Sequence, residues 1–122
     1  MEKRHIVLDT ETTGLDVKKG HRIIEIGGVV MNGRKKTSET FHAYINPQRE
    51  IDKEAQEVHG ISIEDLKDKP IFSEIAEDLL EFIDGSALVI HNADFDIGFL
   101  DAEFKIASST YPAISEICEI KD

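Results

Sequence analysis

Apolar residues recur along this chain in two rhythms, and the changes of rhythm mark its elements. Ile6-Val7-Leu8 is a short apolar run inside His5–Asp9 and predicts a buried strand. Arg22–Met31 is rich in β-branched residues and predicts a second strand. Asn32-Gly33 follows it, a pair that tolerates the positive φ of a tight hairpin turn. Glu39–Asn46 sets Phe41, Ala43 and Ile45 against polar neighbours, the period-two pattern of a third strand. Three antiparallel strands are therefore expected at the N-terminus.

Beyond Pro47 the period lengthens. Asp52–His59 predicts a short helix closed by Gly60, and Ser62-Ile63-Glu64-Asp65 carries the capping-box pattern of a helix start that Lys69-Pro70 breaks. Phe72, Ile75, Ala76, Leu79 and Ile83 recur at helical spacing, with Glu74, Glu77, Asp78 and Glu81 outside and Gly85 as terminator. Ala87–His91 reads as a fully buried strand, and a strand after a helix predicts a parallel crossover. A further helix is expected from Asp94 to Ala107 through Ile97, Leu100 and Phe104, then a loop over Ser108–Pro112. Ile117–Ile120 begins another strand. The fold class is α/β: a mixed sheet of three antiparallel N-terminal strands plus parallel strands, flanked by helices. A single α/β domain seldom ends on a strand that is just forming. One domain over 1–122, lacking its C-terminal portion, is the expectation.

Composition narrows the class. The 122 residues suffice for one domain with a real core, and 40% hydrophobic content fits a globular protein. No apolar stretch approaches the ~18–20 residues of a membrane span, so no membrane partner is expected. Met1-Glu2-Lys3-Arg4-His5 lacks the apolar segment of a signal peptide. Cys118 stands alone, which excludes an internal disulfide and agrees with a cytoplasmic location.

The net charge of −11 is unevenly placed. Residues 1–60 carry ten Lys/Arg against ten Asp/Glu, whereas residues 61–122 carry four against fifteen. No basic stripe of the kind that tracks duplex phosphates is present. Arg34-Lys35-Lys36 and Lys18-Lys19 are read as turn residues, and any contact with nucleic acid should be local and metal-mediated.

Asp9-Thr10-Glu11 is where chemistry first shows. On a strand both carboxylates point to one face, and such a pair at the end of a buried strand is costly without a positive partner. A hard divalent cation such as Mg²⁺ suits it, since it takes carboxylate and phosphate oxygens. The bland alternative is a surface turn with two solvated acids. A second constellation, His91-Asn92-Ala93-Asp94-Phe95-Asp96, sits where a buried strand hands over to a helix, the end at which α/β sheets bind ligands. If the first and fourth strands are neighbours, Asp9, Glu11 and one of Asp94 or Asp96 converge. Asn92 and Asp96, four apart, would share one face of the helix start. Asp94 is assigned to the helix N-cap or first turn, and Asp96 to the metal.

Val7-Leu8-Asp9-Thr10-Glu11-Thr12-Thr13-Gly14, Ile24-Glu25-Ile26-Gly27, Val58-His59-Gly60-Ile61 and His91–Asp96 stand in one order and spacing. Together they resemble the ordered motifs of the DnaQ-like 3′–5′ exonucleases of the ribonuclease-H-like superfamily, in the branch that proofreads for bacterial replicative DNA polymerases. The resemblance runs from Ile6 to the end of the chain. It implies a ribonuclease-H-like fold and two divalent ions, Mg²⁺ or Mn²⁺, held by Asp9, Glu11 and Asp96. It also implies a substrate site made of those acids with Thr12, Thr13, Gly14, Glu54, His59 and Asn92. Glu54 and His59 would lie against the terminal nucleotide, and Thr12, Thr13 and Gly14 would bring backbone amides close to it. Without the resemblance, Glu54 and His59 belong to an ordinary short helix. The implied partners are a single-stranded or frayed DNA 3′ end and a polymerase catalytic subunit.

The family's third motif, a His followed five positions later by an Asp, has no counterpart here. His91 and Asp96 have that spacing but belong to the second motif. Tyr44 and Tyr111, candidates for the family's Tyr branch, are followed four residues on by Gln48 and Ser115. Asp122 matches an Asp after the family's late strand, not the missing ligand. The expectation is a fragment of an exonuclease, inactive or weak as it stands. A related RNA-trimming exonuclease and a non-catalytic nucleotide- or metal-binding module are the alternatives.

Overall fold

The computed structural model describes residues 3–122; the part of the N-terminal reading that involves Met1 and Glu2 lies outside them. Five strands form one sheet in the order β3-β2-β1-β4-β5: β1 (His5–Thr12), β2 (Ile23–Asn32), β3 (Lys35–Tyr44), β4 (Ala87–Val89) and β5 (Glu119–Lys121). β1, β2 and β3 pair antiparallel, joined by a turn with Gly33 at φ 63°. β4 lies parallel to β1, and β5 parallel to β4. The three antiparallel strands and the parallel crossover are as the periodicity predicts.

Alternation along β1 decides which face is covered. Ile6, Leu8, Thr10 and Thr12 are buried on one face, with Ile26 and Val30 of β2 and Leu88 of β4. α3 (Phe72–Ile83) and α4 (Ala93–Ala107) cover that face with Phe72, Ala76, Leu79, Ile83, Phe99, Leu100 and Phe104. Phe72 and Phe104 meet edge to face at 5.1 Å between centroids, a favoured quadrupole arrangement. The opposite face carries Val7, Asp9, Glu11, His42 and Tyr44, and Val7 is 43% exposed there. Among the described residues no helix is long and apolar enough to cross a membrane.

α1 (Lys53–His59) and α2 (Ile63–Leu66) follow the sheet's first half. Gly60 closes α1 at φ 71°, and Ser62 and Asp65 form the reciprocal cap of α2 that their spacing predicts. Several details differ from the sequence reading. β3 begins at Lys35 rather than Glu39 and ends at Tyr44 rather than Asn46, so Lys35 and Lys36, read as turn residues, are strand residues paired with Asn32 and Met31. β1 runs on to Thr12, because Thr10, Glu11 and Thr12 continue pairing with β2 through an irregularity after Glu11. β4 stops at Val89, two residues short of the predicted end. Ile117 closes a four-residue helix, α5 (Ile114–Ile117), and β5 begins only at Glu119. Four residues are too few for a helical period to register.

Candidate active site

β1 and β4 are neighbours, so the two acidic constellations meet. β4 ends opposite Val7, and the chain turns into α4 beside the last residues of β1. Asp9 is exposed and Glu11 half-buried on the uncovered face, while Asp96 is only 4% exposed. Burial pushes the Asp96 carboxyl up to about 6, and the charges of Asp9 and Glu11 push the same way. Thr10 lies beside it and opposes the rise, yet neither Oδ2 of Asp96 nor the Thr10 hydroxyl completes a hydrogen bond. Glu11 is also raised, first by burial, then by Asp9 and Glu25, against His59. Glu25 stands directly across from Glu11 in the β1–β2 register, and His42 Nε2 lies 2.7 Å from its Oε2.

This is a set of hard oxygen donors, and among the described residues no Lys or Arg forms an ion pair with Asp9, Glu11 or Asp96. The carboxylates do not close on a point: among the described residues no three His, Cys, Asp or Glu side chains are grouped to hold an ion. A buried carboxylate oxygen without a partner, beside two solvent-facing carboxylates, nevertheless fits a divalent cation better than any neutral arrangement.

Beside the acids lies a cavity of about 380 Å³. One wall is the end of β1 and the loop after it, with Glu11, Thr12, Gly14 and Leu15; the other is α1, with Glu54, Ala55, Val58 and His59. Phe95 of α4, Thr10, Asp16, Lys19, His21 and Asp52 also line it. Of the residues expected from sequence, Glu11, Thr12, Gly14, Glu54 and His59 line this cavity, whereas Asp9, Thr13, Asn92 and Asp96 do not.

Several expected roles change. Thr13 is fully buried; its amide donates to Arg22 O at 2.8 Å and its carbonyl accepts from Asp52 N at 2.8 Å. It shapes the loop and offers no amide to a ligand. His59 has both ring nitrogens engaged: Nδ1 accepts from Ile61 N at 3.0 Å, so Nε2 carries the hydrogen that reaches Thr12 O at 3.2 Å. It can present only its ring to the cavity. Asn92 is the left-handed residue before α4, at φ 59°, and is exposed while Asp96 is buried. The four-residue spacing therefore does not place them on one helix face. Asp94 is a first-turn acid, as assigned.

Sequence reasoning missed Leu15, Val58, Phe95, His21 and Asp52. Leu15 and Val58, each 84% exposed, stand at the cavity. Their signal was an apolar residue beside a polar motif at a position the helical and strand periods leave outside.

A mixed sheet in this strand order, with two acids at the end of its central strand and a third in the helix after β4, defines a ribonuclease-H-like domain of the nuclease type. The chain belongs to the exonuclease family whose RNase T model matches residues 6–122. It is 52% identical over 119 residues to DNA polymerase III subunit epsilon of Rickettsia conorii (strain ATCC VR-613 / Malish 7), covering 98% of this chain and 52% of that protein. It is 48% identical over 123 residues to the same subunit of Escherichia coli (strain K12), covering 98% and 51%. The chain thus spans about half the length of the curated relatives it matches. Among solved structures, Exonuclease X in complex with 5′ overhanging duplex DNA superposes with a TM-score of 0.64 at 30% identity, over 79% of this chain and 53% of that one. Exonuclease I shares the fold at a TM-score of 0.80 and 14% identity, over 99% of this chain and 28% of the other.

Proposed function

We propose that this site belongs to a metal-dependent 3′–5′ exonuclease that hydrolyses phosphodiester bonds at DNA 3′ ends and proofreads beside a replicative polymerase catalytic subunit in the cytoplasm. The polymerase III epsilon subunits similar to it support that role. The observation that carries the chemistry is the buried, unpartnered Asp96 oxygen facing the charges of Asp9 and Glu11 beside the cavity.

Asp9, Glu11 and Asp96 would hold two Mg²⁺ or Mn²⁺ ions. Such ions, when bound, lower the pKa of a water and offset the charge on a departing 3′ oxygen. The protein's own share is positioning. α1 sets Glu54 and the His59 ring on one side of the terminal nucleotide; Thr12 and Gly14 flank the other. Leu15, Val58 and Phe95 supply apolar surface for a base. Stacking of that kind tolerates every base, because each has an apolar face, and a proofreader must accept any mismatched end.

Residues 1–122 contain no His or Tyr followed by an Asp at the family's spacing outside the second motif. This chain by itself is therefore inactive or weak, as a general base typically contributes ~10²–10⁴-fold. The test is Mn²⁺ binding followed by electron paramagnetic resonance, with release of nucleotides from 3′-labelled single-stranded DNA measured in parallel. Mn²⁺ should bind, and Asp9→Ala should abolish binding; an unaffected variant sinks the metal assignment. Brisk DNA degradation by the unaltered chain would show that the base is not missing.

A further inference from the structure

We propose that His21 is a positioning residue for the nucleotide cavity, joining its two walls through Asp52 and Thr13. The inference rests on reading that cavity as the terminal-nucleotide pocket. His21 is 8% exposed and follows Gly20, whose φ of 84° turns the chain inward. Its Nδ1 lies 2.9 Å from Thr13 Oγ1 and its Nε2 3.3 Å from Asp52 Oδ2. Thr13 does not line the cavity but sits between Thr12 and Gly14 of the loop wall, which do; Asp52 is the N-cap of α1, the helix wall.

Hydrogen bonding gives the link a direction. Thr13 Oγ1 accepts from Arg22 N at 3.0 Å, so its single proton is free to reach His21 Nδ1. Nε2 then stands 3.3 Å from the Asp52 carboxylate, within ion-pair distance but outside hydrogen-bond geometry. Asp52 departs from the usual habit of an N-cap acid, which is to accept from its own helix. It makes no side-chain cap bond, and its carboxylate turns to His21 instead. Gly14 shows how closely the ring is seated: a Cβ there would stand 2.4 Å from His21 Cε1. No real Cβ sits so near a ring atom, so only glycine lets the loop pass over the imidazole.

α1 is otherwise held against β1 by few bonds, Asp52 N to Thr13 O at 2.8 Å and His59 Nε2 to Thr12 O at 3.2 Å among them. Cutting the His21 link should loosen the helix wall without touching sheet or core.

The experiment uses deoxyadenosine 5′-monophosphate with Mn²⁺ as probe. Two substitutions cut the same link from opposite sides. Asp52→Ala removes the half-exposed acceptor, and His21→Asn retains a group at the Nδ1 position while losing Nε2. Each should weaken binding by about threefold to tenfold in protein that remains folded. The double variant should be no weaker than either single, since one link is lost once. Asp52→Glu, which keeps a carboxylate, should recover most of the affinity. A stability loss alone would not produce that pattern. A ligand-free readout separates failures: amide exchange at Gln56–His59 and at Thr13–Gly14 should rise together in Asp52→Ala. No binding by the unaltered chain sinks the pocket assignment. Normal binding, or exchange that rises at only one wall, in the variants overturns the role of His21.

Discussion

The Arg22 guanidinium grips the Glu103 carboxylate: Nη2 donates to Oε1 at 2.7 Å and Nε to both oxygens at 3.0 Å. Glu103 is 2% exposed and also accepts from Ile23 N at 2.8 Å. One buried carboxylate thus fastens the far part of α4 to the first residue of β2. Arg22→Ala leaves that charge buried and unpaired, and should cost about 3–5 kcal/mol in urea unfolding. Arg22→Lys, which keeps the charge but loses the fork, should lose part of it.

At its other end α4 is held by Asp122, whose carboxylate accepts from Ala93 N at 3.0 Å and Asn92 N at 3.3 Å. Orphaned amides at a helix start favour an anion. Asp122→Ala should cost about 1 kcal/mol. It should also weaken Mn²⁺ binding, because Asp96 lies in the turn that Asp122 fixes; unchanged Mn²⁺ affinity would limit Asp122 to stability.

Asp96 binds its proton more tightly in the folded protein, at about 6 against 3.8 for the free group. Across that interval the native state holds protons the unfolded chain has released, so stability falls as pH rises through it and stays lower above. In metal-free protein, Asp96→Asn should remove this fall and add roughly 1–3 kcal/mol at pH 7. Urea midpoints at pH 5 and pH 7 with a chelator check it. A variant less stable than the parent at pH 7 would mean that the carboxylate has a favourable partner.

Leu15→Ala and Val58→Ala remove apolar groups that are 84% exposed. Stability should move by no more than about 0.5 kcal/mol, whereas affinity for single-stranded DNA should drop several-fold. Fluorescence anisotropy with a labelled oligonucleotide reads the second effect, and unaltered binding would remove both residues from the site.

Gly14→Ala should drive a methyl group into the His21 ring and cost about 1–3 kcal/mol, the range for overfilling a packed interior. Combining it with His21→Ser should recover part of that loss, as a melting temperature will show.

Period-two alternation located β1 to β3 because one face of each is buried and the other is not. Asp9 and Glu11 were legible for the same reason: strand geometry alone puts them on one face. Asp96 was legible through chain order, once β1 and β4 were neighbours. What escaped depends on contacts between distant residues. His21 looks like a loop residue until Asp52, thirty-one positions on, is seen to meet it. The Asn92 conformation escaped because a four-residue spacing assumes a helix that has already begun. Thr13 escaped because its amide pairs across the loop with Arg22.

β1 is paired with β2 along its length and with β4 over His5–Val7, whereas α1 is tied down chiefly at its ends. Local opening should therefore begin at α1 and reach β1 only in global unfolding. Asp9 and Glu11 ride on the sheet's central strand, and Glu54 and His59 on one of the first elements to open. The cavity can thus widen by small excursions of one helix while the strand beside it keeps its shape.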